Sequence, residues 1–305
     1  MDRSLEGWLN GLAGVLIFSG SLPATRAAVI GFDPVFLTLA RASIAGAIGL
    51  ALLVLSRQRL PGRGDLAPLA VVAAGVVIGF PLLTALALRH MAASPSIVFT
   101  GLLPLATAAF AVLRGGERPD RRFWLFAGLG SLCVAGFAWS PASLSDPTGD
   151  LLMLAAILVC GLGYAEGAVL ARRLGGWQVI CWALVLCAPF LLLPVGWLAW
   201  AQLFGSHAAH PEPLALKTWL AFGYVTLFSQ FIGFFAWYAG LAMGGIARVG
   251  QVQLLQIFFT IAFSALLFGE TVTPSTWLFA AAVIATVMLG RRSAVATAPR
   301  AARAG

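Results

Sequence analysis

Few residues in this chain can do chemistry, and several of them stand where a charge is costly. Arg41 and Glu166 each fall well inside an otherwise apolar stretch, and Arg26 falls near the end of another. An ionisable group at membrane depth costs about 2.5–3.5 kcal/mol on insertion scales, so each needs a partner or a task. Arg41 and Arg26 together can hold an anionic group, such as a substrate carboxylate, through paired N–H donors. Structural alternatives for Arg41 are an ion pair with Asp33 or Glu270, or a side chain that reaches back to the interface. Glu166 lies among Gly161, Gly163, Tyr164 and Gly167. An intramembrane carboxyl can carry a proton in a coupled transporter. It can equally form a salt bridge, with Arg172 and Arg173 about two turns away.

Uncharged polar residues fall into two ridges. Gln253, Gln256, Thr260 and Ser264 recur at spacings that share one helix face. Ser96, Thr100 and Thr107 do the same earlier in the chain. Such ridges hydrogen-bond either a substrate or the neighbouring helices. Ser19 and Ser21 precede Pro23, which can bend or break a helix beside a site. Tyr164 adds a hydroxyl, and Ser229 and Gln230 another polar pair. Phe231, Phe234, Phe235, Trp237 and Tyr238 can line an apolar cavity. The substrate-binding candidates are therefore Ser21, Arg26, Arg41, Thr100, Thr107, Tyr164, Gln253, Gln256 and Thr260, with Glu166 for proton coupling. His90, His207 and His210 lack metal-ligand spacing. The chain has no His-Glu-x-x-His, Gly-x-Ser-x-Gly or phosphate-loop motif. No catalytic residue, metal or cofactor is assigned, and an embedded enzyme or an ATP-driven pump is disfavoured.

The elements that must position these residues are membrane helices. Of 305 residues, 60% are hydrophobic and 10% charged, and the mean hydropathy is +0.95. An ordinary globular chain is about a quarter charged. A spanning helix needs roughly 20 apolar residues. Ten segments qualify, near 8–28, 34–55, 66–88, 93–114, 122–140, 150–171, 177–204, 215–241, 247–268 and 274–290. Continuous apolar runs exclude an alternating barrel pattern. Eight tryptophans, including Trp8, Trp124, Trp197, Trp200, Trp219 and Trp277, fall near predicted ends, as in an interfacial belt. With the N-terminus on side one, fifteen Arg lie on that side, against Arg26, Arg89 and Lys217 on the other. The positive-inside rule then puts both termini in the cytoplasm. It explains the net charge of +8 by topology, without nucleic acid. Residues 293–305 read as a disordered basic tail. The leader Met1–Gly7 is a poor signal peptide, with one Arg against Asp2 and Glu6. Cys133, Cys160, Cys181 and Cys187 read as small apolar packing residues.

A shift of 153 residues brings two regions into register. Gly116-Glu117 falls on Gly269-Glu270, and Trp124-Leu125-Phe126-Ala127 on Trp277-Leu278-Phe279-Ala280. The unit is five helices, 1–145 and 146–292, and an odd number of spans inverts the second copy. Inverted repeats permit a central site to face each side in turn. This predicts a secondary transporter, with a passive facilitator or channel as the alternative.

Ten spans in two such halves resemble the drug/metabolite transporter superfamily, specifically its EamA-type members. The resemblance covers nearly the whole chain. It is carried by Phe18-Ser19-Gly20-Ser21-Leu22-Pro23-Ala24-Thr25-Arg26, by Asp33-Pro34 with Leu39-Ala40-Arg41, and by Leu103-Pro104-Leu105 with the two Gly-Glu pairs. It implies movement of metabolites or drugs across the inner membrane, often export, and a cavity lined by spans one, three, four, six, eight and nine. The partners implied are a small-molecule substrate and membrane lipid, with a homodimer left open. Where such sequences often carry Pro in the ninth span, this one has Gln256-Ile257.

Overall fold

The structure, a computed structural model, describes residues 3–90, 99–138, 147–204, 214–268 and a few positions between 278 and 297. Nearly all of it is helix, as expected. The first predicted segment is Arg3–Ser19 followed by Ser21–Ala28, and the second is Pro34–Leu55. The third runs through Arg63–Val72, Ala73–Gly79 and Phe80–His90, the fourth is Leu103–Gly115 and the fifth Arg121–Ala138. The sixth and seventh are Pro147–Leu174 and Gly176–Phe204. The eighth runs through Leu216–Tyr224, Val225–Ile232 and Gly233–Gly244, and the ninth through Ile246–Gly250, Gln251–Leu255 and Gln256–Phe268. The tenth lies largely outside the described residues. Six of these helices are long and apolar enough to cross a membrane. Local chemistry sets their ends. Asp33 caps the second, its carboxylate accepting from Val35 N–H at 2.8 Å and Phe36 N–H at 3.1 Å, with Pro34 in the first turn. Gly116 ends the fourth at φ 65°, a left-handed conformation that favours glycine.

Two short strands depart from an all-helical fold. Glu117–Pro119 pairs antiparallel with Val295–Thr297. The second strand falls within residues 293–305. The segment Val295-Ala296-Thr297 is uncharged, and two of its three residues are β-branched, which suits a strand.

Three of the longest helices are irregular. The first breaks at Gly20. The third and eighth widen into π-helix at Ala73–Gly79 and Val225–Ile232. The offset of 153 that aligns the Gly-Glu pairs carries Ala73–Gly79 onto 226–232, inside the second π segment. The two halves thus share a structural feature that residue identity does not reveal. π-Segments are rare and concentrate at functional sites.

Lipid offers helices little hydrophobic drive to pair, so close backbone packing matters. The first and eighth segments meet through glycine. A Cβ built on Gly240 would lie 2.6 Å from the Gly11 nitrogen and 2.8 Å from the Gly7 carbonyl. Gly240→Val is therefore expected to force these helices apart. Overpacking costs about 1–3 kcal/mol and occasionally more. The variant should show a clearly lowered unfolding midpoint in detergent, whereas Gly196→Val, at a glycine with open space, should not. Elsewhere the molecule presents apolar side chains outward, among them Val54, Phe190, Leu193 and Leu220. Trp124, Trp197, Trp200 and Trp219 are exposed near helix ends, as predicted, but Trp8 is buried. Cys160, Cys181 and Cys187 are buried free thiols, and Cys133 is half-buried.

Candidate functional site

A central cavity, partly open to its surroundings, offers a volume of about 50 Å³ to a water-sized molecule. Its walls come from the first, second, third, fourth, sixth, eighth and ninth segments. The second is absent from the spans that the family resemblance implies, and it supplies Arg41, one of the binding candidates. Of the predicted binding residues, Ser21, Arg41, Thr100, Tyr164 and Gln256 line the cavity. Phe18, Phe80, Thr84, Ser229, Gln230 and Phe234 join them.

Arg41 is 6% exposed. It does not pair with Asp33, whose carboxylate instead takes Arg89 Nη2 at 2.9 Å. Glu270 lies outside the described residues. Arg41 Nη2 donates to Ser229 Oγ at 3.4 Å, and Ser21 Oγ donates to the same oxygen at 2.7 Å. Arg26 is exposed at the end of its short helix and off the cavity wall, so the two arginines do not act as a pair. Five residues lie between Ala28 and Pro34.

The break at Gly20 is held by the polar ridge of the ninth segment. Pro23 has no N–H to give the carbonyl of Ser19, four residues earlier. Thr260 Oγ1 donates to that carbonyl at 2.9 Å, Gln256 Nε2 to the Phe18 carbonyl at 3.4 Å, and Tyr224 OH to the Ile17 carbonyl at 2.7 Å. Three side chains from two other segments thus satisfy three consecutive carbonyls. Thr260 is off the cavity wall, which supports the helix-bonding alternative for it; Gln256 both bonds the helix and faces the cavity. Thr107 and Gln253 are buried and also off the wall, Gln253 beside Tyr164. Ser96 lies outside the described residues, as does the side chain of Ser264.

Toward the end of the molecule that carries the basic loops, buried apolar side chains give way to ion pairs. Below the cavity, Trp237, Tyr238, Leu241 and Val249 are fully buried, and Tyr164 packs edge-on against Trp237 at 5.3 Å. Beyond them Glu166 receives Arg114 in a bidentate pair, Nε to Oε2 at 2.7 Å and Nη2 to Oε1 at 3.1 Å. Arg172 and Arg173, the expected partners of Glu166, are committed elsewhere. Arg172 Nη2 lies 2.9 Å from Glu117, and Arg173 Nη2 2.7 Å from Asp65. Glu117 also accepts from Ile246 N–H and Ala247 N–H, both at 2.8 Å, where the ninth segment begins. The Gly116-Glu117 pair thus ends one helix and caps another. Each of these three ion pairs joins a residue of the first half to one of the second. At the opposite end, Arg89 and Asp33 pair within the first half alone.

Apolar helices with outward-facing hydrophobic side chains, enclosing a cavity with a few polar groups, define a multi-pass membrane transporter. The chain belongs to the EamA-like transporter family, whose model matches residues 5–139 and again 147–290. It is 55% identical over 288 residues, 94% of this chain and 96% of the relative, to the uncharacterized transporter YdeK of Bacillus subtilis (strain 168). A solved crystal structure shares the fold, with a TM-score of 0.74 at 17% identity over 94% of this chain and 98% of its own.

Proposed function

We propose that this protein is a secondary transporter of small organic metabolites or drugs, with ten spans in two inverted five-helix halves that alternate access to the central cavity. On this reading the protein lies in the inner membrane with both termini cytoplasmic, and it works as an exporter. The structure then represents the state closed toward the cytoplasm. The observation that supports this most is the placement of the three ion pairs. All sit at the basic-loop end, all link one half to the other, and the cavity walls come from both halves. Opening that end requires these pairs to part, so we assign Glu166 and Glu117 to an ion-pair latch. Glu166 lies off the cavity wall, and its bidentate partner favours this role over that of a proton carrier moving with substrate.

Counterflow tests the carrier mechanism. Proteoliposomes preloaded with a transported solute should take up labelled solute faster than empty ones, because a carrier returns loaded more readily than empty. Saturable flux with no acceleration by preloading would favour the channel alternative. Coupling is read separately. Glu166→Gln should keep its response to an imposed pH gradient while losing the fixed inner closure. Loss of that response with the protein folded would restore the proton-carrier role.

A further inference from the structure

We propose that the cavity selects small organic anions with an apolar body, and that Arg41 holds the charge; this rests on the transport reading above and names its substrate class. Arg41 is the one charged residue on the described cavity wall. No carboxylate among the described residues lies within 4 Å of it. The carboxylates of Asp33, Asp65, Glu117 and Glu166 are all engaged by other arginines. The guanidinium has one long contact, to Ser229, and its Nε has no partner. Beside it the carboxamide of Gln230 is fully buried, with neither polar atom hydrogen-bonded. A buried cation without a counter-ion and an unsatisfied amide are each costly. A carboxylate entering the cavity relieves both, accepting from Arg41 and Gln230 while the Ser21–Ser229 hydroxyl pair supports it.

The rest of the wall sets the remaining chemistry. Phe18, Phe80, Leu103 and Phe234 offer apolar surface for a hydrocarbon or aromatic body. Among the described residues no acidic side chain lines the cavity, so an organic cation meets a like charge and no counter-charge there. Arg26 stands off the wall, so the site offers one cation and favours a monoanion over a dianion.

The test uses the purified full chain and three compounds of matched shape: phenylacetate, phenylacetamide and 2-phenylethylammonium. Indole-3-acetate and hexanoate vary the apolar body. At least one of the three carboxylates should raise the unfolding midpoint saturably, and the amide and the ammonium should not. Arg41→Gln should weaken that carboxylate by about tenfold to a hundredfold, the worth of a hydrogen bond to a charged group. Arg41→Lys should recover part of the loss. If Arg41→Gln does not fold, the comparison of carboxylate, amide and ammonium on the unaltered chain decides. The proposal is overturned if no carboxylate protects, if the ammonium protects as well, or if Arg41→Gln binds undiminished. It is also overturned if protection appears only in Glu270→Gln, which would make Glu270 the counter-ion. Saturable flux of the ammonium in proteoliposomes, without flux of the carboxylates, removes the anion class and leaves the transport reading intact. Carboxylate binding without counterflow keeps the anion site and removes the carrier mechanism.

Discussion

Glu117→Ala is expected to lower the stability of the folded protein by about 2–6 kcal/mol, because two buried N–H donors each lose their acceptor at about 1–3 kcal/mol apiece. Glu117 is 1% exposed and bonds Ile246 and Ala247 at the first turn of the ninth segment. No intrahelical carbonyl is available to those two N–H groups. Arg172 also loses its partner, but it is partly exposed and can turn to water. Its share is therefore small beside that of the buried amides. Glu117→Gln keeps one carbonyl oxygen as an acceptor and should lose roughly half as much. Unfolding midpoints in detergent for the two variants check this order. Equal midpoints for both variants and the unaltered chain would mean that the cap contributes nothing.

The second large effect concerns Arg114. Removing it strands Glu166, which is 4% exposed, and breaking a buried pair by deleting one partner costs about 3–5 kcal/mol. Arg114 is half-exposed, so the figure for this pair sits at or below the lower bound. The reverse deletion differs. Glu166→Gln leaves Arg114 free to hydrate and should cost less. The double variant Arg114→Gln with Glu166→Gln should recover much of the loss of Arg114→Gln alone, since no charge is left stranded. This order, single arginine loss worst and double variant partly rescued, is the mark of a buried carboxylate with one dedicated cation. A double variant as unstable as the sum of the two single ones would show that the groups act independently.

Much of this was legible in residue types. Apolar runs located the helices because lipid demands them, and Asp33-Pro34 marked a helix start because its chemistry is local. The two Gly-Glu pairs pointed to a repeat, and the family model matches residues 5–139 and again 147–290. Arg41 and Glu166 stood out because charge is conspicuous in hydrocarbon. Their partners did not. Arg114 lies 52 residues from Glu166 and read as one more topological charge in a basic loop. Ser229 was visible as a polar residue in the middle of its helix, but its contact with Arg41 spans 188 residues. Phe18, Phe80 and Thr84 gave no signal, since neither an aromatic nor a lone hydroxyl in an apolar run distinguishes wall from core. The ridge of Gln256 and Thr260 was found, but its use was not. Its acceptors are backbone carbonyls freed at Gly20 and Pro23, and only the packing of the ninth segment against the first brings them together. The π-segments were invisible too, because side-chain periodicity barely changes when one helical turn widens.

Alternating access makes one demand that can be read directly. Leu22 lines the cavity and is half-buried. With Cys133, Cys160, Cys181 and Cys187 replaced by Ala, Leu22→Cys gives a single thiol in the wall. A membrane-impermeant maleimide, applied to oriented membranes from one side at a time, reports which side reaches it. We expect labelling from the side away from the basic loops while the ion pairs are intact. Adding Glu117→Gln and Glu166→Gln should shift labelling toward the basic-loop side and reduce it from the other. Labelling from both sides at once in the intact chain, or an unchanged side preference after the pairs are removed, would contradict the account.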